Sequence, residues 1–177
     1  MVTNADFVAV VFTSVPEGAF VAICSKAGDP DMGGWVASRA DANIENLSAE
    51  HNNFVGCSSF YPGKDGSFKA RKAHFAACHF LMLDDLGTKV PLERLANFEL
   101  SWLIETSPGN YQGGIIFADP ITDGDVAVRL LNAVIGAGLC DAGATGPLSR
   151  WARLPVGALL KSCPAHISEN FKFISCQ

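Results

Sequence analysis

The stretch from His79 to Lys89, His-Phe-Leu-Met-Leu-Asp-Asp-Leu-Gly-Thr-Lys, constrains the fold more than any other part of the chain. An apolar run of strand length stops at two adjacent carboxylates, Asp84 and Asp85, followed by leucine, glycine, a hydroxyl and a lysine. Such runs bury readily, and acidic pairs rarely sit at their ends without a reason. Carboxylates at the carboxyl end of a buried strand are rigid ligands at the lip of a sheet, where a hard cation such as Mg²⁺ takes oxygen donors. Gly87 then turns the backbone away, and Lys89 reaches toward a phosphate bound to that cation. The same residues also read as a strand capped by an ordinary polar turn, and the segment alone leaves both readings open.

Composition bounds the alternatives. A chain of 177 residues with 49% hydrophobic content is expected to form one domain, running over 1–177, around a substantial core. No apolar stretch has the length of a membrane span, and the N-terminus lacks the basic-then-apolar form of a signal peptide. A cytoplasmic protein with no membrane partner is therefore expected. The six cysteines, at 24, 57, 78, 140, 163 and 176, form no CxxC pair. Cys24 and Cys78 sit in apolar, strand-like contexts where a free thiol acts as a small hydrophobe, so structural zinc is not expected. His74 and His79 read as core or surface residues. The net charge of −5 argues against a non-specific nucleic-acid coat. Lys64, Lys69, Arg71 and Lys72 nonetheless fall in one short window, and Arg150 and Arg153 form a second basic pair. Each reads either as part of a nucleic-acid groove or as a solvated surface.

Along the chain, residues 6–12 and 18–24 read as two strands joined by a turn over 14–18 that contains Pro16. Residues 26–40 are loop-rich, and 41–51 carry a helical pattern starting from an Asp41 cap. A short strand over 54–60 leads to the turn Tyr61-Pro-Gly-Lys-Asp-Gly66. Residues 71–78 fit either a short helix or the start of an extended segment. Pro91 to Asn97 suits a short helix with proline in its first turn. Two antiparallel strands, 98–106 and 111–117, flank Ser107-Pro-Gly-Asn110, where Pro-Gly favours a type II turn. Val126, Leu130, Leu131, Val134 and Ile135 recur at helical spacing after a Thr122 or Asp123 cap. The last segment, 171–177, alternates like a strand, which hints at a domain cut from a longer polypeptide.

Three separated segments then combine into one candidate site: Asp84-Asp85 at a strand end, the polar turn Ser107-Pro-Gly-Asn-Tyr-Gln112, and Asp141 followed by Arg150-Trp-Ala-Arg153. Acids, a turn rich in backbone amides, and arginines are what metal-assisted phosphoryl or nucleotidyl transfer needs. In this order, from about Asn52 to Pro155, the motifs resemble the RepB-like primases of plasmids and phages, a branch of the archaeo-eukaryotic primase superfamily. The resemblance implies an α/β (α+β) fold, an RRM-like mixed or antiparallel sheet flanked by helices. It implies a template-dependent DNA primase or primase-polymerase using Mg²⁺ or Mn²⁺, nucleoside triphosphates and single-stranded DNA. A fused or associated helicase or helical domain is also implied. Carried over, Asp84, Asp85 and Asp141 are the catalytic metal ligands. Ser107 and Gln112, with Asn110 between them, fall in the motif that holds nucleotide phosphates. By their charge, Lys89, Arg150 and Arg153 are expected to contact triphosphate or template, and Lys64, Lys69, Arg71 and Lys72, with aromatics such as Trp35 or Tyr61, to guide single-stranded DNA by charge and stacking.

Two departures from the family pattern stand out. The first-motif acids are adjacent here rather than spaced by one residue, and Gln112 stands where histidine is usual. Adjacent side chains of a strand point to opposite faces, so Asp84 and Asp85 are not expected both to reach one metal. Glutamine cannot donate a proton as an imidazolium does. A non-catalytic replication-origin binding module that keeps the fold, and a metal-dependent nuclease, are the alternatives.

Overall fold

The computed structural model describes residues 2–144 and 146–158. The strand-like ending over 171–177, and Cys163 and Cys176 with it, lies outside the described residues. The chain begins with a helix, α1 (Asn4–Val11), where the sequence pattern suggests a strand over 6–12. The reason is local: Thr3 Oγ1 accepts from the Asp6 amide at 3.0 Å and Asp6 Oδ2 accepts from the Thr3 amide at 3.0 Å, a reciprocal capping box. Asn4, Phe7 and Val11 then share one buried helical face.

The sheet follows. β1 (Phe20–Lys26), β2 (Ser38–Arg39), β3 (Asn52–Phe60), β4 (Phe75–Leu86), β5 (Trp102–Ser107), β6 (Asn110–Ile121) and β7 (Trp151–Arg153) form one seven-stranded sheet in the order β2-β1-β3-β4-β6-β5, with β7 paired to β3. All strand pairings are antiparallel. Among the described residues there are two further α-helices, α2 (Ala40–Asn43) and α3 (Gly124–Gly136). The helix expected over 41–51 is shorter and starts one residue earlier, with Arg39 rather than Asp41 at its N-cap; a single 3₁₀ turn continues it over Ile44–Asn46. Residues 71–78 are both of the expected forms, a 3₁₀ turn at Lys72–His74 and then β4. The element after Pro91 is a 3₁₀ turn over Leu92–Leu95. The helix expected after Asp123 forms, with Asp123 Oδ1 accepting from the amides of Asp125 and Val126.

The sheet is buried on both faces. On one, Phe7, Val11 and Phe12 of the N-terminal segment pack with Val21, Ile23, Val55, Phe80, Met82, Trp102 and Ile116. On the other, Ala127 and Leu131 of α3 cover Leu81, Leu83, Leu86 and Phe117. Phe20, Ala22 and Phe60 form a smaller cluster with Ala37, Ala70 and Trp151. Phe20 and Ala22 alternate along β1 with Val21 and Ile23, and Ser58, two residues from Phe60, pairs with Cys78 of the α3-side core, so this cluster shares the α3 face. The four described cysteines, 24, 57, 78 and 140, are all buried and free.

What positions the site is a fork in the sheet. β3 pairs with β4 only over Ser58–Phe60, and with β7 over Phe54–Gly56. The carboxyl end of β4 therefore diverges from β3, and β7 takes its place. Asn4 fixes the chain beyond β7 by donating to the Val156 carbonyl at 2.9 Å and accepting from its amide at 2.8 Å.

Candidate active site

Asp84 and Asp85 lie at the diverging end of β4, and the strand there is irregular. Leu83 faces Gly113 and Leu86 faces Tyr111, three steps on β4 against two on β6, so one residue bulges. Asp85 is that residue's natural candidate, with φ at +55°, the one left-handed non-glycine among the described residues. The bulge breaks the strand alternation that would send neighbouring acids to opposite faces. The Asp85 amide donates to Asp84 Oδ1 at 3.1 Å. Gly87, at φ +87°, packs so tightly on the 107–110 hairpin turn that a Cβ there would overlap the Gly109 carbonyl.

Each acid has a cationic partner. Arg150 Nη2 lies 2.6 Å from Asp84 Oδ2, both side chains about one-fifth exposed. The Arg150 carbonyl is fixed to β3 by the Cys57 amide at 2.9 Å, so the guanidinium reaches across the fork to β4. Lys89 Nζ bridges Asp85 Oδ2 at 2.8 Å and Asp141 Oδ2 at 3.2 Å. The hydrogen bond from Lys89 holds the Asp85 carboxyl below its ordinary value, and the same bond raises Lys89. Asp141 joins the site through its backbone as well, its amide donating to the Asp84 carbonyl at 3.3 Å. The Asp84 amide points at Cys140 Sγ, 3.4 Å away, a thiol that burial pushes up and keeps protonated.

Two of the second-motif residues are bonded within the site. Gln112 Nε2 donates to Asp84 Oδ1 at 3.1 Å, and its Oε1 accepts from the Arg153 amide at 3.0 Å. Gln112 thus ties β6, β4 and β7 together at the fork. Asn110 donates to Asp85 Oδ1 at 3.1 Å and accepts from Thr88 Oγ1 at 2.8 Å. Ser107 is exposed at the end of the expected hairpin turn, whose Gly109 has the positive φ of +75° that type II geometry needs. The Arg153 guanidinium bonds Asn52 and sits 4.6 Å over the Phe54 ring. Thr88, a member of the bonding network that sequence reasoning passed over, is visible there only as a hydroxyl in a polar turn.

Lys64, Lys69, Arg71 and Lys72 are exposed in the connection between β3 and β4. That connection meets the opposite end of β4 from the acids, and Phe75 to Asp84 spans about 30 Å at the usual strand rise. Among the described residues, no ion pair joins them to Asp84, Asp85 or Asp141.

Among the described residues, no three His, Cys, Asp or Glu side chains are gathered closely enough to hold a metal ion. Two carboxylates do converge on one cation, Asp85 and Asp141 on the Lys89 ammonium, and hard oxygen donors of this kind suit Mg²⁺ or Mn²⁺. Asp84 is turned instead to Arg150 and Gln112. No described helix is long and apolar enough to cross a membrane.

No protein-family profile matches the chain, and no curated protein matches it by sequence. Solved structures do match its fold. The archaeo-eukaryotic primase domain of the primase-polymerase of cyanophage S-2L aligns with a TM-score of 0.67 at 12% identity, covering 96% of this chain and 92% of that one. The catalytic domain of primase RepB′ in complex with initiator DNA aligns with a TM-score of 0.56 at 15% identity, covering 88% and 78%. A second RepB′ primase structure aligns at 0.54 and 14% identity, covering 87% of this chain and 50% of that one. The fold is that of archaeo-eukaryotic primase catalytic domains.

Proposed function

We propose that this chain is a template-dependent nucleotidyltransferase, a DNA primase or primase-polymerase of a phage or plasmid replication protein, acting on nucleoside triphosphates along single-stranded DNA. The observation that carries the reading is the bridge from Asp85 through Lys89 to Asp141, beside the Asp84–Arg150 pair, at the open end of β4. In a sheet with the primase fold, three acids and two cations gathered at one strand end support a triphosphate site there.

In this reading Asp85 and Asp141, joined by Asp84, would hold Mg²⁺ or Mn²⁺, which when bound would supply positive charge to the phosphates and to the attacking hydroxyl. Lys89 and Arg150 already lie against the carboxylates. Released from them, the two cations bind the triphosphate, Arg150 in the forked geometry that suits phosphate oxygens. Gln112 holds Asp84 in place, with Ser107 and Asn110 presenting the hairpin turn to the phosphates. Arg153 and the distant Lys64, Lys69, Arg71 and Lys72 contact the template backbone. A helicase or helical domain, fused or associated, is the proposed partner.

A specific observation favours a second reading. Every acid at the site already has a cationic partner, with Lys89 shared by two, and both ends of the Gln112 amide are engaged, which suits an origin-binding module that keeps the fold without catalysis. Nucleotide incorporation on single-stranded DNA with Mg²⁺ or Mn²⁺, with and without a primer, separates the two. Wild type is expected to extend, and Asp141→Ala to fall to background while staying folded. Strong DNA binding in EDTA with no incorporation under any condition would overturn the catalytic reading.

A further inference from the structure

On the α3 side of the sheet, the helix packs on β4, β6 and the 3₁₀ turn Pro147–Ser149. Over β1, β3 and β7 the covering is made by two loop segments, around 35–37 and 68–71, packed on Phe20, Ala22 and Phe60. Between them lies a cleft of about 330 Å³ lined by Trp35, Phe68, Trp151, Lys69 and Arg71 with small apolar residues, and by no acidic side chain. Its size is that of a small-ligand site.

The rings of this cleft are held in place. Trp35 lies near-parallel to Trp151, with centroids 5.9 Å apart and an 18° interplanar angle, and meets Phe54 edge-on at 4.7 Å. Lys26 Nζ sits 4.8 Å over the Trp35 ring and donates to the Pro30 carbonyl at 2.7 Å, tethering the loop that carries it. Phe68 meets Phe20 edge-on at 5.1 Å and carries the Arg39 guanidinium 5.0 Å from its centroid. Yet Trp35 and Phe68 remain 42% and 40% exposed, far more than core packing requires.

We infer that this cleft binds single-stranded nucleic acid, an unpaired base entering between the Trp35–Trp151 pair and Phe68 while Lys69 and Arg71 take the flanking phosphates. Aromatic faces with cations beside them are the pattern that binds single strands without regard to sequence. A mixed lining of this kind, with two cations and no acid, suits a polyanion with flat apolar bases better than an apolar peptide. The nearest carboxylate partner, Asp65 on Lys69, is an exposed pair at 3.9 Å and gives way to phosphate readily. The cleft also has direction. Its basic wall belongs to the β3–β4 connection, and its other wall, Trp151, is the residue after Arg150, whose guanidinium touches Asp84. A strand lying in it runs from the basic loop toward the acids. The inference rests on the proposed nucleotidyl transfer only for the identity of that strand as template.

The test is anisotropy of a labelled oligothymidylate of about ten nucleotides, titrated with the whole chain in EDTA and without triphosphates. Wild type is expected to bind, Trp35→Ala about tenfold more weakly, and Trp35→Phe close to wild type. An abasic oligonucleotide is expected to lose the Trp35 dependence, and Lys69→Gln with Arg71→Gln to flatten the salt slope by about 1.4. Binding by Trp35→Ala and by the double variant equal to wild type, or no binding by folded wild type at low salt, would overturn the cleft. An active polymerase with no Trp35 dependence loses only the cleft. Trp35-dependent binding without incorporation loses only the catalytic reading.

Discussion

Lys89 is the residue on which the candidate site turns. Its ammonium is well exposed, yet it holds two half-buried carboxylates together, so a divalent cation entering between Asp85 and Asp141 has to displace it. Like charges left facing one another at short range attract a cation strongly. Lys89→Ala is therefore expected to tighten Mn²⁺ binding severalfold in a calorimetric or paramagnetic titration, even though the same variant loses a phosphate contact in turnover. Unchanged or weaker Mn²⁺ affinity would show that Asp85 and Asp141 are a structural pair rather than ligands. The acids, Lys89, Arg150 and Gln112 were all legible in the sequence as members of one site. Their pairing was not, because it depends on the bulge that puts Asp85 at φ +55°. An aspartate tolerates that conformation through its short polar side chain, so no glycine marked the place. The contacts of Arg153 were not legible either: three residues on from Arg150 and at the end of β7, its guanidinium bonds Asn52 and lies over the Phe54 ring.

At the scale of elements, β6 shows how closely the central strands are fitted. Gly114 pairs with both Met82 and Trp102, and a Cβ built on it would overlap the Trp102 indole. That indole is itself wedged edge-on between Phe7 of α1 at 5.5 Å and Phe80 of β4 at 5.6 Å. With nowhere to move, it turns one methyl group into overpacking, so Gly114→Ala is expected to destabilise the fold by about 2–3 kcal/mol in urea unfolding. A loss below about 0.5 kcal/mol would mean that the Trp102 pocket is looser than the packing implies. The 107–110 hairpin and α3 were plain in the sequence because turn chemistry and helical period each point one way. Residues 6–12 were not: Phe-Val-Ala-Val-Val-Phe satisfies strand propensity, and the decision lies with the capping box of Thr3 and Asp6, just outside the run.

At the scale of the whole molecule, the α1 layer and the sheet meet around a histidine that the fold keeps neutral well below its ordinary pKa. His79, 1% exposed on β4, has its Nε2 2.9 Å from Ser59 Oγ on β3 and its ring 4.7 Å from Phe12. Burial pushes its pKa down to about 4 from 6.5. Because the folded value is depressed, the unfolded chain binds a proton between these limits that the folded chain refuses. Stability from this residue is thus unaffected above about pH 6.5 and falls as pH drops from there toward 4. The loss approaches about 3 kcal/mol at the lower limit, at 1.36 kcal/mol per unit. Asp85, held below its ordinary value by Lys89, adds a loss only in the more acidic range where carboxylates protonate. The two contributions separate by variant. Urea unfolding of wild type at pH 7 and at pH 5 is expected to show a clear drop, and His79→Gln, which keeps a hydrogen-bonding group near Ser59 but cannot take up the proton, is expected to lose most of that drop while being less stable at pH 7. If His79→Gln weakens with falling pH as steeply as wild type, the proton is taken up elsewhere, and the joint between α1 and the sheet is not what fails first in acid.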